Sequence, residues 1–253
     1  MRICLTALAL ATLSAPAAGE LPSPILTAFS DGRFEEAARK AASLSDADAK
    51  ALAARALLAK GMCGNSQPPT ALVDEAEALA RAALALEPEH VEGRLQLAIA
   101  LSLRMRPMTA RQAMRTGHGE VARELAEAVL RDDPGNAYAH GLLAVWHFEV
   151  VRRGGAIGSA LMGASVREGL SHYEAAARAR PGDASVHWQV ARALTALNAR
   201  KYRSNIDAAL NAAQAAGRDD ALEEVMAARA AHLAMALDVL SAREVEQLAE
   251  GML

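Results

Sequence analysis

Four kinds of side chain in this chain have types and spacings that could do chemistry: a thiol, a set of histidines, paired carboxylates and a series of arginines. A cysteine nucleophile needs a base beside it, and Cys63 stands in Met62-Cys63-Gly64-Asn65 with no flanking signature of a known cysteine enzyme. It reads as a half-buried or free loop thiol. His140 and His147 are seven apart, so on a helix they share a face two turns apart. A metal there would need a third ligand such as His172 or His187, and no His-x3-His, Cys-x2-Cys or His-Glu-x2-His spacing occurs. Packing at a core or rim is the expected role of these histidines. Glu35-Glu36 and Glu223-Glu224 are neighbours that point to different sides of a helix, as solvated surface does. No catalytic constellation results, so no enzymatic activity, cofactor or metal site is expected.

The elements that carry these residues follow from composition. The chain has 253 residues, 52% hydrophobic but only 3% aromatic, with alanine and leucine dominant, which disfavours β-sandwiches and barrels. A charged fraction of 23% beside so much apolar residue excludes bulk disorder, and a net charge of −3 argues against a nucleic-acid binder. Met1-Arg2, the apolar run Ile3 to Leu13 and the small residues Ser14 to Gly19 predict a signal peptide, 1–17, cleaved after Ala17 or Gly19. The run is too short to span a bilayer, and no later stretch is a membrane span. Cys4 would leave with the leader, so Cys63 has no partner for an intramolecular disulfide. The expected location is periplasmic or secreted.

A repeat organises residues 20–253 as one domain. Twelve residues before Pro88, Pro134 and Pro181 stand Ala76, Ala122 and Gly169; eight before stand Ala80, Ala126 and Tyr173; five before stand Ala83, Val129 and Ala176. Nine and ten residues after each proline come Leu97-Ala98, Leu143-Ala144 and Val190-Ala191. Two copies without the proline are Ala37/Ala41/Leu44 and Ala208/Ala212/Ala215, so the starts 37, 76, 122, 169 and 208 are 39, 46, 47 and 39 residues apart. Small residues at i, i+4 and i+7 form one helical stripe against which another helix can lie closely, and proline ends the unit. Each unit is then a helical hairpin that must stack on its neighbours to bury its apolar faces. Helices are predicted over about 24–30, 33–44, 46–61, 70–87, 89–105, 118–132, 136–152, 166–180, 183–199, 204–216, 218–239 and 241–251. Asp46, Asp133, Asp183 and Asp219 are predicted N-caps or first-turn acids, and Ser241 to Leu253 a polar capping helix.

On these small residues and closing prolines, residues 23 to 240 resemble the tetratricopeptide repeat family. The resemblance implies an all-α, right-handed solenoid of about five stacked hairpins that binds a protein or peptide in a concave groove. The units are longer than the family's usual 34 or so residues. Arg94, His140 and His187 stand where its first helices carry aromatics, with Trp146 and Trp188 nearby. The added length and the run His140 to Pro181 also resemble the regulator of microtubule dynamics branch.

Extra residues fall between the two helices of a unit, in 103–119, 152–167 and 198–203, and none of these segments contains an acid. They hold Arg104, Arg106, Arg111, Arg115, Arg152, Arg153, Arg167, Arg200, Lys201 and Arg203. Connections between units are acidic, so stacking predicts one basic and one acidic edge. Helix dipoles account for Arg104, Arg152 and Arg200 at the ends of first helices, but not for Arg115, Arg167 or Arg203, placed before second helices. The second insert combines Gly154, Gly155, Gly158 and Gly163 with Ile157, Leu161 and Met162; without a preceding strand it is no phosphate loop.

The expected function is non-enzymatic binding of a cell-envelope protein or peptide that is acidic where it meets the basic edge. Arg94, His140, His147 and His187 are expected to line the groove beside Trp146 and Trp188. An alternative is a solute- or lipid-binding protein in which 154–163 forms a lid; a deep apolar pocket beneath that segment would favour it. Partner identity and oligomeric state are not legible.

Overall fold

Alanine has the highest helix propensity of any residue, and in this chain it recurs between polar side chains able to cap helix starts. The computed structural model describes residues 21–64 and 67–252. The expected leader lies outside the described residues. Thirteen helices follow in order: α1 Ser23–Ser30, α2 Phe34–Ala42, α3 Ala47–Cys63, α4 Thr70–Leu86, α5 Val91–Met105, α6 Ala110–Thr116, α7 His118–Asp132, α8 Ala137–Met162, α9 Val166–Ala179, α10 Ala184–Asn198, α11 Arg203–Ala215, α12 Ala221–Val239 and α13 Ala242–Gly251. No strand occurs among the described residues, and no helix there is long and apolar enough to cross a membrane.

Helices α3/α4, α5/α7, α8/α9 and α10/α11 pack as antiparallel hairpins, with the short pair α1/α2 at one end and α12 at the other. The predicted stripes lie in the interfaces: Ala76, Ala80, Ala83, Ala122, Ala126, Val129 and Ala176 are fully buried. Gly169 is buried for a specific reason, since a Cβ there would lie 2.4 Å from Phe148. Only glycine lets α9 approach α8 so closely.

The closing proline organises a connection repeated three times. Each proline stands two residues beyond a helix end, and two residues later a side chain caps the next helix. His90 Nδ1 accepts from Gly93 N at 3.0 Å, Asn136 Oδ1 from Ala139 N at 3.1 Å and Asp183 Oδ1 from Val186 N at 3.0 Å. Six residues after the proline, Arg94, His140 and His187 donate back to the carbonyls of Pro88, Pro134 and Pro181 at 3.2, 3.0 and 3.0 Å.

Four expectations change. The fifth stripe is displaced by one residue: Ala208 is exposed, and Ile206, Ala209, Leu210 and Ala213 are buried. The first insert is not a plain loop but contains α6, held by a Thr109/Gln112 capping box. The second continues α8 by ten residues through a break at Gly155, whose φ of 58° and ψ of −158° suit only glycine. Asp46 and Asp183 cap as predicted, but Asn136 and Asp220 cap where Asp133 and Asp219 were expected.

Stacking turns the first helices α3, α5, α8, α10 and α12 inward, and the last comes back to the first. Helix α12 meets α1 and α3, and Arg229 donates to the carbonyls of Met62 and Gly64. Helix α13, with its Ser241/Glu244 capping box, folds back to pack mainly on α10. One principal core runs continuously from Ile25 to Ala249.

Candidate functional site

The inward helices enclose a pocket of about 360 Å³. Its wall is built by one stripe on each helix, at helical spacing: Leu95 and Ile99 from α5, Leu142 and Val145 from α8, Val186 from α10 and Met226 from α12. Both long inserts complete it. Ala110, Ala113 and Met114 of α6 and Gly154, Gly158 and Met162 of the α8 extension line the same space. The extension has two faces, because Ile157 and Leu161 on its other side are 85% and 72% exposed. Its far end is tied down where Arg123 Nη1 donates to Met162 O at 3.0 Å and Ser165 N to His147 Nδ1 at 3.2 Å.

The two ends of the pocket differ in charge. At the starts of the inner helices lie Glu92, Asp183, Asp220 and Glu223, all caps or first-turn acids favoured by the helix dipole. Burial, opposed by a hydrogen bond from Asp219 N, and the neighbouring Asp183, Asp220 and Asp219 raise the carboxyl of Glu223 above its usual range. At the opposite end Arg106, Arg152, Arg153 and Arg192 gather around Glu149. Arg192 is only 2% exposed; its Nη2 lies 3.3 Å from Glu149 Oε1 and its Nε 3.2 Å from Gln189 Oε1. Arg152 Nη2 lies 2.7 Å from Glu149 Oε2, while its Nη1 lies 2.8 Å from Glu250 on α13. Arg106 Nη2 donates to Glu250 O at 2.8 Å, and Arg153 donates to Met105 O at 3.2 Å and to Met108 O. Burial, then Arg192, Arg152 and Arg153 against the pull of Glu149, push the Arg106 guanidinium down to about 9. Burial disfavours the Glu149 carboxylate, yet Arg192, Arg152 and Arg106 outweigh it and hold the group ionised.

Of the residues expected on the groove, Trp146 alone of the first-helix set reaches the pocket, its Nε1 donating to Gly119 O at 2.8 Å. Arg94, His140 and His187 are corrected to the opposite side of their helices, where they hold the proline carbonyls. His187 Nδ1 also accepts from the Tyr173 hydroxyl at 2.8 Å, and Arg94 pairs with Asp132 at 2.8 Å. His147 is buried against the start of α9, and Trp188 is wholly in the core. The predicted edge likewise divides. Arg106, Arg152 and Arg153 turn inward, Arg104 pairs with Asp74 and Glu77 of α4, and Arg203 pairs with Asp207 and Asp238. Arg111, Arg115, Arg167, Arg200 and Lys201 are exposed. Arg115 is explained by α6, since it lies in that helix's last turn, where positive charge is favourable.

The pocket stripe was legible as a period-3.6 series but mixes apolar and polar residues. Buried Arg192 and partly buried Glu149 carried no motif, because they meet across 43 residues. Burial pushes the Cys63 thiol up, away from the reactive thiolate. Among the described residues no group of three or more His, Cys, Asp or Glu could hold a metal ion.

No protein-family model matches the chain, and no curated protein matches it in sequence. Among solved structures it is similar to a thermophilic TPR (tetratricopeptide repeat) protein of Thermus thermophilus. The identity is 19%, the match covers 79% of this chain and 86% of that chain, and the TM-score is 0.47.

Proposed function

We propose that this protein is a non-enzymatic binding protein that holds a small amphipathic molecule in its inner pocket. One observation carries the reading: the Gly-rich extension, through Gly154, Gly158 and Met162, lines the same apolar space as the inner helices. A volume of about 360 Å³ falls in the range of about 300–1,000 Å³ usual for small-molecule sites. A preformed wall of helices loses little ordering entropy on binding. Gly155, the break in α8, is the joint about which the extension would open to admit the ligand. With the leader expected at 1–17, the place of action is the cell envelope, to be checked by sequencing the amino terminus of the exported chain.

Binding of neutral Nile red tests the pocket. A Cβ at Gly158 meets nothing within 4 Å, so Gly158→Leu adds its side chain without a backbone clash and fills the space. One dye per chain should bind to the parent, several-fold less to Gly158→Leu and unchanged to Leu161→Ser on the outer face. Absence of dye binding, or equal binding by Gly158→Leu, would remove the reading.

A second reading, a protein partner, is favoured by the exposed Ile157 and Leu161 on the outer face of the extension. An acidic partner would meet the exposed Arg111, Arg115 and Arg167 close by in the two inserts. Capture from envelope extract should then fail for the double variant Ile157→Ser, Leu161→Ser while Nile red binding persists.

A further inference from the structure

Resting on the pocket as a ligand site, we propose that its arginine end reads an anion, so that the ligand is an apolar-bodied carboxylate whose headgroup sits among Arg106, Arg153 and Arg192. Four guanidinium groups, Arg106, Arg152, Arg153 and Arg192, gather there against two carboxylates, and only that of Glu149 is enclosed; the Glu250 side chain is largely exposed. The acids at the other end of the pocket have a local cause as caps and first-turn residues. Arg106 and Arg152 stand near helix ends, but Arg192 and Glu149 lie within helices, away from such ends, and burying charge is costly unless it is matched.

Helix ends supply part of the match, since Arg106 and Arg153 donate to carbonyls at the ends of α13 and α5. Those bonds use one nitrogen of each group. Among the described residues Arg106 Nε and Nη1, Arg153 Nε and Nη1, and Arg192 Nη1 have no hydrogen-bond partner, while all three side chains line the pocket. Guanidinium donors of this kind take a carboxylate in paired hydrogen bonds. The apolar wall from Val145 and Leu142 towards Ile99 and Leu95 leaves the same end and accepts the chain of the ligand. An anion there would also offset the local excess of guanidinium groups over carboxylates at this end of the pocket.

Calorimetric titration with decanoate, 1-decanol and decyltrimethylammonium, together with Nile red displacement, tests this. Decanoate should bind at least tenfold more tightly than 1-decanol, and the cation least well. Arg106→Gln and Arg153→Gln should each lower decanoate affinity about tenfold and leave that for 1-decanol within twofold, with Arg153→Lys partly restoring it. Helical circular dichroism and Nile red binding by each variant report that the pocket is intact. Equal affinity for decanoate and 1-decanol, or variants that bind decanoate as the parent does, would overturn the anion site while leaving the pocket reading in place. Failure of Nile red and all three probes to bind would overturn both.

Discussion

His172 lies between two other imidazoles, its Nδ1 2.8 Å from that of His140 and its ring stacked on that of His147 at 5.7 Å. Because His140 Nε2 donates to the Pro134 carbonyl, its Nδ1 accepts, and His172 must donate from Nδ1. Burial, then His140 and His147 against the nearby Glu168, push His172 down to about 4. Burial also lowers His147, with Arg123 acting the same way and Glu168 and Glu127 opposing. In the unfolded chain these rings titrate near 6.5. Between about pH 6.5 and 4 the unfolded state therefore binds more protons, so stability is complete above that window and falls as the solution is acidified. With His172 only partly buried, solvent screening reduces the loss from this ring to about 1–2 kcal/mol. Urea midpoints at pH 7.5 and 5.0 should show it, and His172→Gln should flatten the difference. A pH slope identical in parent and variant would show that the histidine cluster does not set the dependence.

At the scale of a helix pair, Gly169 and Gly155 do opposite things, and substitution separates them. Alanine at Gly169 would press its Cβ to 2.4 Å from the fully buried Phe148, so α8 and α9 must part. The overpacking costs about 1–3 kcal/mol, partly offset by about 1 kcal/mol of helix propensity. Gly169→Ala should lower the melting temperature by several degrees, and adding Phe148→Leu should recover part of the loss, as contacting sites do not add. If Gly169→Ala melts with the parent, the close approach is not needed. At Gly155 a Cβ meets no atom within 4 Å, and the penalty is backbone strain of about 1–3 kcal/mol. Detaching the extension relieves it without unfolding the core. Gly155→Ala should thus speed amide exchange over 156–162 and weaken ligand binding while exchange in α10 stays as in the parent; unchanged exchange over 156–162 would refute the joint. The hairpins were legible because a stripe such as Ala76/Ala80/Ala83 and its closing proline are local. The register of the fifth stripe was not, since in an alanine-rich run Ala208 and Ala209 read alike and only packing of Ile206 and Leu210 selects one. His140 and His187 misled in a similar way: the sequence shows a ring on an inner helix, but the Pro134 and Pro181 carbonyls decide which way it turns.

Across the whole molecule, closure changes how the repeat should unfold. In an open solenoid each unit touches only its neighbours, stability is a sum of local terms, and the ends fray first. Here α12 returns to α1 and α3, Ala221 sits under Gly32, and Arg229 bridges to Met62 and Gly64 from 167 and 165 residues away. No local pattern foretells a contact between elements so far apart in the chain, so an open groove was the natural expectation and a pocket between helices whose ends meet was the outcome. At the other seam α13 crosses to α10, with Glu246 accepting from Ala199 N at 3.0 Å and Glu250 held by Arg152. Both terminal elements are thereby tied to the body, and opening either exposes the shared pocket wall. Urea unfolding should accordingly be one transition, with tryptophan fluorescence, which reports the middle units through Trp146 and Trp188, coinciding with far-ultraviolet circular dichroism. Arg229→Ala cuts the seam without touching those units, so the dichroism transition should then begin at lower urea than the fluorescence transition. Separate transitions in the parent, or coincident ones in Arg229→Ala, would mean that the end-to-end contact contributes nothing to cooperativity and that the units unfold as an open stack does.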